Sequence, residues 1–502
     1  MADKYPAVAR LAGPMGRKLL FVHDPKAMHH ISVKEQDVFE EATWFTRCVQ
    51  VMRHPFCQTD LIMSFPPPLR FNVNADSRCV PSAPGSSPHS ASTTASSASS
   101  LNPVFSINHM RHMMPTFYKV TYKLQEAIEQ RVRGGAAEVN MVMWMGRTAL
   151  ELVGQAGLGY SFDKLTEETA DELGDALKSL MPAMATLGVF LQFLPLAEAI
   201  IPERWLAPLG WTVPIPGLKD MMRISRTLDE KCREIFTKKK AALLQGDEVL
   251  AMQVGEGKDI MSVLLRANMA AAEGDRLDET ELLGQMSVLT FAAMDTTSNA
   301  LSVTLWRLAK HQDVQDRVRD EIRAAREAAG GADIAYDDLV ALPYLDAICR
   351  ETLRVARKDV VLPLSEPIRG LDGTLMHEIF VPKDTQVFVS ITSSNKNPDI
   401  WGPDAAEWKP ERWLSTLPDT VTDAKMPGVY SNLMTFWAGG RACIGFKFSQ
   451  LEMKVVLAVL LLKFRFELTE KPIHWNLAPV VYPTTLADGS KPELPLKVAM
   501  LD

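Results

Sequence analysis

The stretch Met434–Leu451, MTFWAGGRACIGFKFSQL, decides the fold through the one cysteine it carries. A thiolate that ligates a metal needs its charge stabilised, one open side, and backbone amides aimed at the sulfur. Gly439, Gly440 and Gly445 surround Cys443 and permit close backbone approach and positive φ. Arg441 brings a cation two residues ahead of the sulfur, and Phe436 can cover the pocket. An apolar, helix-forming run from Phe448 to Leu462 follows, so Cys443 is predicted just before a helix N-terminus, where the dipole favours an anion.

Upstream, Glu351 and Arg354 in ETLR are three residues apart and share one face of a helix predicted near Leu345–Ala356, where they can pair. A third charged candidate, Arg412, lies in WKPERW, Trp408–Trp413. The longest unbroken helical pattern, Thr280–Lys310, has Asp278 or Thr280 as its cap and is apolar on most sides, which predicts a buried helix. AAMDTTS, Ala292–Ser298, sits near its middle, and an ionisable Asp295 there is costly unless it is hydrogen-bonded or functional.

Phe436, Gly439, Arg441, Cys443 and Gly445 together resemble the haem-binding signature FxxGxRxCxG of the cytochrome P-450 family, and the other motifs follow in that family's order. ETLR resembles its ExxR motif, PERW its PERF-like motif, and AAMDTT its acid–alcohol motif (A/G)GxDT, with Ala293 standing where glycine is common. The resemblance implies a mainly α fold with small β-sheets, the cytochrome P-450 fold, as a single large domain. It implies haem b with the Cys443 thiolate as axial ligand and metal site, Arg441 meeting a propionate, and Asp295 and Thr296 relaying protons during dioxygen activation. Glu351, Arg354 and Arg412 would form a buried structural network behind the ligand loop, since three charges stay buried only if mutually paired.

The reaction implied is that of a fungal, microsomal-type monooxygenase. One atom of O2 enters an apolar organic substrate, and electrons come from NADPH through NADPH–cytochrome P-450 reductase. The same resemblance implies a monomer at the endoplasmic reticulum membrane, on its cytoplasmic face, although this chain shows no anchor helix. The rival readings are a haem-thiolate isomerase, dehydratase or peroxygenase, and a degenerate haem-binding protein without activity.

Bulk properties agree with an enzyme of this kind. Of 502 residues, 47% are hydrophobic, enough for a large core, and 54 basic against 61 acidic residues give a net charge of -7, which argues against nucleic acid as a partner. Six cysteines show no CxxC pairing, so neither a disulfide framework nor a zinc site is expected and a reducing compartment fits best. The opening MADKYPAVARLAG lacks the apolar core of a signal peptide. The most apolar stretch, Leu180–Pro202, is interrupted by Pro182, Pro195 and Glu198, which predicts two short helical pieces around a loop and no membrane span.

Three segments result. Residues 1–57 read as the β-rich N-terminal part of the domain, with LLFVHDP as strand and turn and Pro25–Glu41 as a pair of short helices. Residues 101–502 read as the core with the haem site. They open with helices at Pro115–Arg133 and Val139–Gly157, stopped by Gly134 and Gly157, and the resemblance implies that Val360–Leu364 lines the substrate pocket. Between them, residues 58–100 run into a Ser/Ala/Thr/Pro tract with almost no large apolar side chain, which predicts disorder or a misread segment. ASTTASSAS, Ala91–Ser99, can be encoded by GCG AGC ACC ACC GCA AGC AGC GCA AGC, which with a G before it and the frame moved back one base reads Gly-Glu-His-His-Arg-Lys-Gln-Arg-Lys. That basic peptide resembles the helix that precedes LNPVFSINHM-like segments in fungal members of the family.

Overall fold

The computed structural model describes residues 8–12, 18–34, 105–135, 138–165, 172–191, 200–201, 203–245, 257–271, 276–354, 368–369, 375–376, 379, 381, 386–476, 480–486 and 491–501. The expectations for residues 58–100, for residues 35–41 of the Pro25–Glu41 stretch and for Val360–Leu364 lie outside these residues.

Strands β1 (Val8–Ala12) and β2 (Lys18–Val22) pair antiparallel, Val8 opposite Val22. Asp24 caps α1 (Pro25–His29), its Oδ1 accepting from the Ala27 amide at 2.9 Å, while Pro25 presets the first helical φ. Helix α2 (Ile107–Arg133) starts at Ser106, well before Pro115, where periodicity placed it. Pro115 forfeits one backbone bond, but buried Met110, Met113, Met114 and Phe117 on one face hold the helix through it.

Strand β3 (Glu138–Asn140) contains Val139, which was expected to be helical; it pairs with Leu496, a partner that local periodicity cannot reveal. Helix α3 (Met141–Leu152) follows and widens into a π turn, Val153–Leu158, that ends at Gly159 with φ 60, so Gly159 is the stop and Gly157 is not. Helix α4 (Glu172–Leu191) runs through Pro182, which was expected to interrupt it. Then come α5 (Glu203–Thr212), α6 (Leu218–Gln245) and α7 (Ile260–Ala270).

The central helix α8 (Glu279–Lys310) carries a full capping box: Asp278 Oδ1 accepts from the Glu281 amide at 2.7 Å and Glu281 Oε2 from the Asp278 amide at 3.1 Å. Helices α9 (Gln312–Ala328), α10 (Tyr336–Ala341) and α11 (Pro343–Arg354) follow. Next are β4 (Ile368–Arg369), β5 (Leu375–Met376), β6 (Gln386–Val389), α12 (Ile391–Asn395), α13 (Pro398–Trp401) and α14 (Asp419–Asp423). The chain closes with α15 (Phe446–Lys463), β7 (Phe464–Leu468), β8 (His474–Asn476), β9 (Tyr482–Thr484) and β10 (Pro495–Met500).

Within the domain the described residues gather into two compact units, one within 1–42 and 343–446, the other within 86–342 and 447–502. In the first, β6 joins β2 in parallel, and Val22, Met28, Val389, Trp401, Leu433, Met434 and Ala438 form the core. In the second, α3 and β7 pack on α8, α4 packs on α6, and β10 lies between β3 and β7. Met141 and Met145 are fully buried packing residues. Each such side chain contributes roughly 1.5–3 kcal/mol on burial. Among the described residues no helix is long and apolar enough to cross a membrane, and no group of His, Cys, Asp or Glu could hold a metal ion by itself.

Candidate active site

The ligand loop is shaped by three departures from ordinary backbone. Gly439 has φ 63, and Trp437, a bulky residue, is held at φ 60 by bonds from its amide to Met434 O at 2.9 Å and from the Val429 amide to its own carbonyl at 3.1 Å. Gly428 lies so close to the returning strand that a Cβ would fall 1.8 Å from Leu433 O. Of the three glycines around the sulfur, only Gly439 is at positive φ.

The Cys443 amide donates to Phe436 O at 2.8 Å, which folds the loop back on itself and leaves the cysteine side chain exposed. Phe436 is buried and packs against Tyr430 and Phe446 at centroid distances of 5.7 and 6.0 Å, as a cover over the loop. The Gly445 N–H donates to the Cys443 sulfur, the amide contact the sequence implied. Enough protein surrounds the thiol to strip part of its hydration; that desolvation raises its pKa, and the Gly445 amide pulls it down by less. Arg441 lies in the 3-10 turn Gly439–Arg441, and its side chain is outside the described residues.

Behind the loop, Glu351 and Arg354 are buried completely. Arg354 Nε and Nη2 donate to Glu351 Oε2 and Oε1 at 2.9 and 2.8 Å, and its other N–H groups go to the carbonyls of Asn395, Ala405 and Glu407 at 2.8, 2.6 and 2.8 Å. Glu351 also accepts from the Lys409 amide and from Trp413 Nε1, both at 2.9 Å. Arg412 joins as expected, though at ion-pair distance: its Nε lies 3.6 Å from Glu351 Oε1, and its hydrogen bonds go to Asp404 Oδ1 at 2.8 Å and to the Trp401 and Asp404 carbonyls. The Arg412 and Lys409 side chains pull the Asp404 pKa down to about 2.

The tie between this network and the loop is Asn395, which sequence reading missed. Its carbonyl accepts from Arg354, its Oδ1 accepts from the Met434 amide at 3.1 Å, and its Nδ2 donates to Thr435 Oγ1 at 3.0 Å. Thr435 in turn donates to Leu353 O at 2.6 Å. Trp413 was also missed as a donor. The only signal for it was a tryptophan where the family motif commonly has an apolar aromatic.

In the other unit, α8 presents AAMDTTS. Asp295 is 2% exposed, and its Oδ1 meets Lys178 Nζ and Asn299 Nδ2, each at 3.2 Å, while Oδ2 is buried without a hydrogen-bond partner. Lys178 Nζ also donates to Ser298 Oγ at 2.6 Å. Thr296 is exposed, with its hydroxyl donating to Ala292 O at 2.7 Å, so its oxygen keeps free lone pairs. Thr297, the second threonine, is tied instead to Ser449 Oγ of α15 at 3.2 Å. Lys178 carried no sequence signal, because it lies on a different helix.

The first unit thus presents a sulfur on a strapped loop with an amide donor beside it, and the second a buried acid next to an exposed alcohol. The sequence profile of the cytochrome P-450 family matches residues 83–485. Cytochrome P-450 monooxygenase 91 of Postia placenta is 50% identical over 508 residues, covering 99% of this chain and 88% of that protein. Ganoderic acid synthetase CYP5150L8 of Ganoderma lucidum is 46% identical over 515 residues, covering 100% and 89%. The crystal structure of a cytochrome P-450, CYP102L1, shares the fold with a TM-score of 0.68 at 18% identity, covering 100% of this chain and 93% of that one. The chain belongs to the cytochrome P-450 family, whose cofactor is a thiolate-bound haem, and is a monooxygenase.

The residues present fit such a cofactor. The thiol is open and has one amide donor; burial raises its pKa on its own, and a haem iron would supply the charge that turns a coordinating thiol into a thiolate.

Proposed function

We propose that Cys443 is the axial ligand of haem b, and that the enzyme inserts one atom of O2 into an apolar organic substrate with electrons from NADPH, delivered by NADPH–cytochrome P-450 reductase. The observation that carries this reading is the exposed, amide-bonded Cys443 on a loop strapped through Asn395 and Thr435 to the buried Glu351–Arg354 pair. When bound, the haem supplies dioxygen binding and the electron push of its thiolate. The protein does the rest. Gly445 orients the sulfur, Phe436 covers the loop, Gly439 gives the turn its hand, and Arg441 would hold a propionate of the haem. Asp295 and Thr296 move protons, the carboxylate through its unpaired Oδ2 and the alcohol through its exposed oxygen.

The enzyme works as a monomer at the cytoplasmic face of the endoplasmic reticulum. Exposed Ile200, Trp205 and Leu209, at 71%, 53% and 39%, support contact with a lipid surface. Residues 58–100 are a misread exon or a frame-shifted stretch, with the frame regained near Leu101. Sequencing the transcript tests this: a one-base change that restores the basic peptide before Leu101 is expected, and an uninterrupted frame overturns it.

For the enzyme itself, the full chain is loaded with haem and its reduced carbon monoxide difference spectrum recorded. A thiolate-type Soret band that Cys443→Ser abolishes is expected, with product forming only when NADPH, dioxygen and the reductase are all present. Product from peroxide alone, or with no oxidant, points instead to a peroxygenase or an isomerase.

A further inference from the structure

We infer that Lys178 is a positioning residue for Asp295, and that Gly146 is the slot that lets it reach. The inference rests on Asp295 handling protons, as proposed above.

Gly146 sits in the middle of α3, buried, where glycine is the poorest ordinary helix former. It is not among the residues with positive φ, so conformational freedom does not explain it. Space does. A Cβ on Gly146 would lie 2.2 Å from Lys178 Cε and 3.2 Å from its Nζ. The lysine stem therefore crosses α3 where a side chain is missing, on its way from α4 to α8, and arrives with its side chain only 16% exposed.

There its ammonium donates to Ser298 Oγ at 2.6 Å and meets Asp295 Oδ1 at 3.2 Å, while Asn299 Nδ2 reaches the same oxygen at 3.2 Å. Both contacts fall on Oδ1. Oδ2, equally buried, has no partner. Lys178 thus compensates the buried charge and fixes the rotation of the carboxylate while leaving one oxygen able to accept a proton. Three helices build this arrangement, and each gives one part: the slot, the cation and the acid.

Four variants test it in the haem-loaded enzyme with reductase: Asp295→Asn, Lys178→Met, Gly146→Ala and the double variant Asp295→Asn/Lys178→Met. All are expected to keep the thiolate-type carbon monoxide spectrum. Asp295→Asn should lower kcat about 100-fold, the lower range for loss of a general acid–base group. Lys178→Met should lower kcat roughly tenfold, the size of one charge-assisted hydrogen bond, with KM nearly unchanged.

Gly146→Ala displaces only the flexible end of a lysine and improves helix propensity, so it should reproduce the kcat loss of Lys178→Met without lowering the melting temperature. This keeps the inference testable if Lys178→Met fails to fold. The double variant should be no worse than Asp295→Asn, because Lys178 acts through that carboxylate. A merely structural lysine would give additive losses. Wild-type kcat in both Lys178→Met and Gly146→Ala, or additivity in the double variant, overturns the inference while Asp295→Asn still impairs turnover. An Asp295→Asn enzyme with full kcat overturns the proton-handling reading itself, and this inference with it.

Discussion

Among the buried ion pairs of the described residues, two are built to opposite standards. In Glu351–Arg354 the guanidinium makes five hydrogen bonds, two to Glu351 and three to carbonyls, and the carboxylate takes two further donors, from Lys409 and Trp413. In Asp295–Lys178 the contacts to the carboxylate are long, fall on one oxygen, and leave the other unpaired. A planar guanidinium with fixed donors suits a permanent joint, whereas an ammonium on a flexible stem compensates charge without saturating its partner. A filled pair holds shape; an unfilled one retains capacity for a proton. The first kind anchors the loop, and the second leaves one carboxylate oxygen unpaired.

The comparison breaks most visibly at the saturated pair. Arg354→Ala strands the Glu351 charge in a fully buried site, a loss of about 3–5 kcal/mol. It also removes the bond that ties Asn395, the residue that holds the loop, to the buried pair. The expected result is a large fall in melting temperature and little thiolate-type haem, read by calorimetry and by the carbon monoxide spectrum of the same preparation. By contrast, Asp295→Asn should leave both readings close to wild type while turnover collapses.

Trp413→Phe asks for a finer effect. It keeps the ring but removes the N–H that reaches Glu351 Oε2 at 2.9 Å, so a loss of about 1–3 kcal/mol in chemical unfolding is expected, with the haem spectrum retained.

The smallest effect sharpens the contrast with a third buried acid. Glu452 of α15 is fully buried with neither oxygen partnered, and burial lifts its pKa well above the usual 4.5. Above pH 4.5 the folded protein therefore holds a proton that the unfolded chain has lost. Its contribution is complete below the unfolded value and declines as pH rises toward the folded one. Glu452→Gln, which cannot ionise, should remove that slope. The melting temperature of wild type minus variant should fall between about pH 5 and pH 8 by differential scanning calorimetry, and a flat difference would show that Glu452 has a partner.

Much of this site was legible because its motifs are local. Cys443, Gly445 and Phe436 share one loop, Glu351 and Arg354 one helical turn, and Asp295 and Thr296 adjacent positions, so spacing alone carried their relation. The capped central helix was legible for the same reason: Asp278 and Glu281 reach each other within a turn. Where the sequence misled, the deciding partner was remote. Val139 reads as helix by period but belongs to a strand because Leu496 is beside it. Pro182 reads as a breaker but lies within α4, where Lys178 and the rest of the helix pack against neighbours.

By itself, then, the sequence determined which residues can ligate, pair and transfer protons, since those capacities depend on side-chain type and on neighbours a few positions away. Only the tertiary structure decided what each is paired with. Asp295 meets Lys178 across 117 residues, Glu351 meets Trp413 across 62, and Leu353 meets Thr435 across 82. Such partners are chosen by which faces the core brings together, and packing of apolar surface, not local spacing, sets those faces. That choice is what made one buried carboxylate a fixture and left another with an open oxygen.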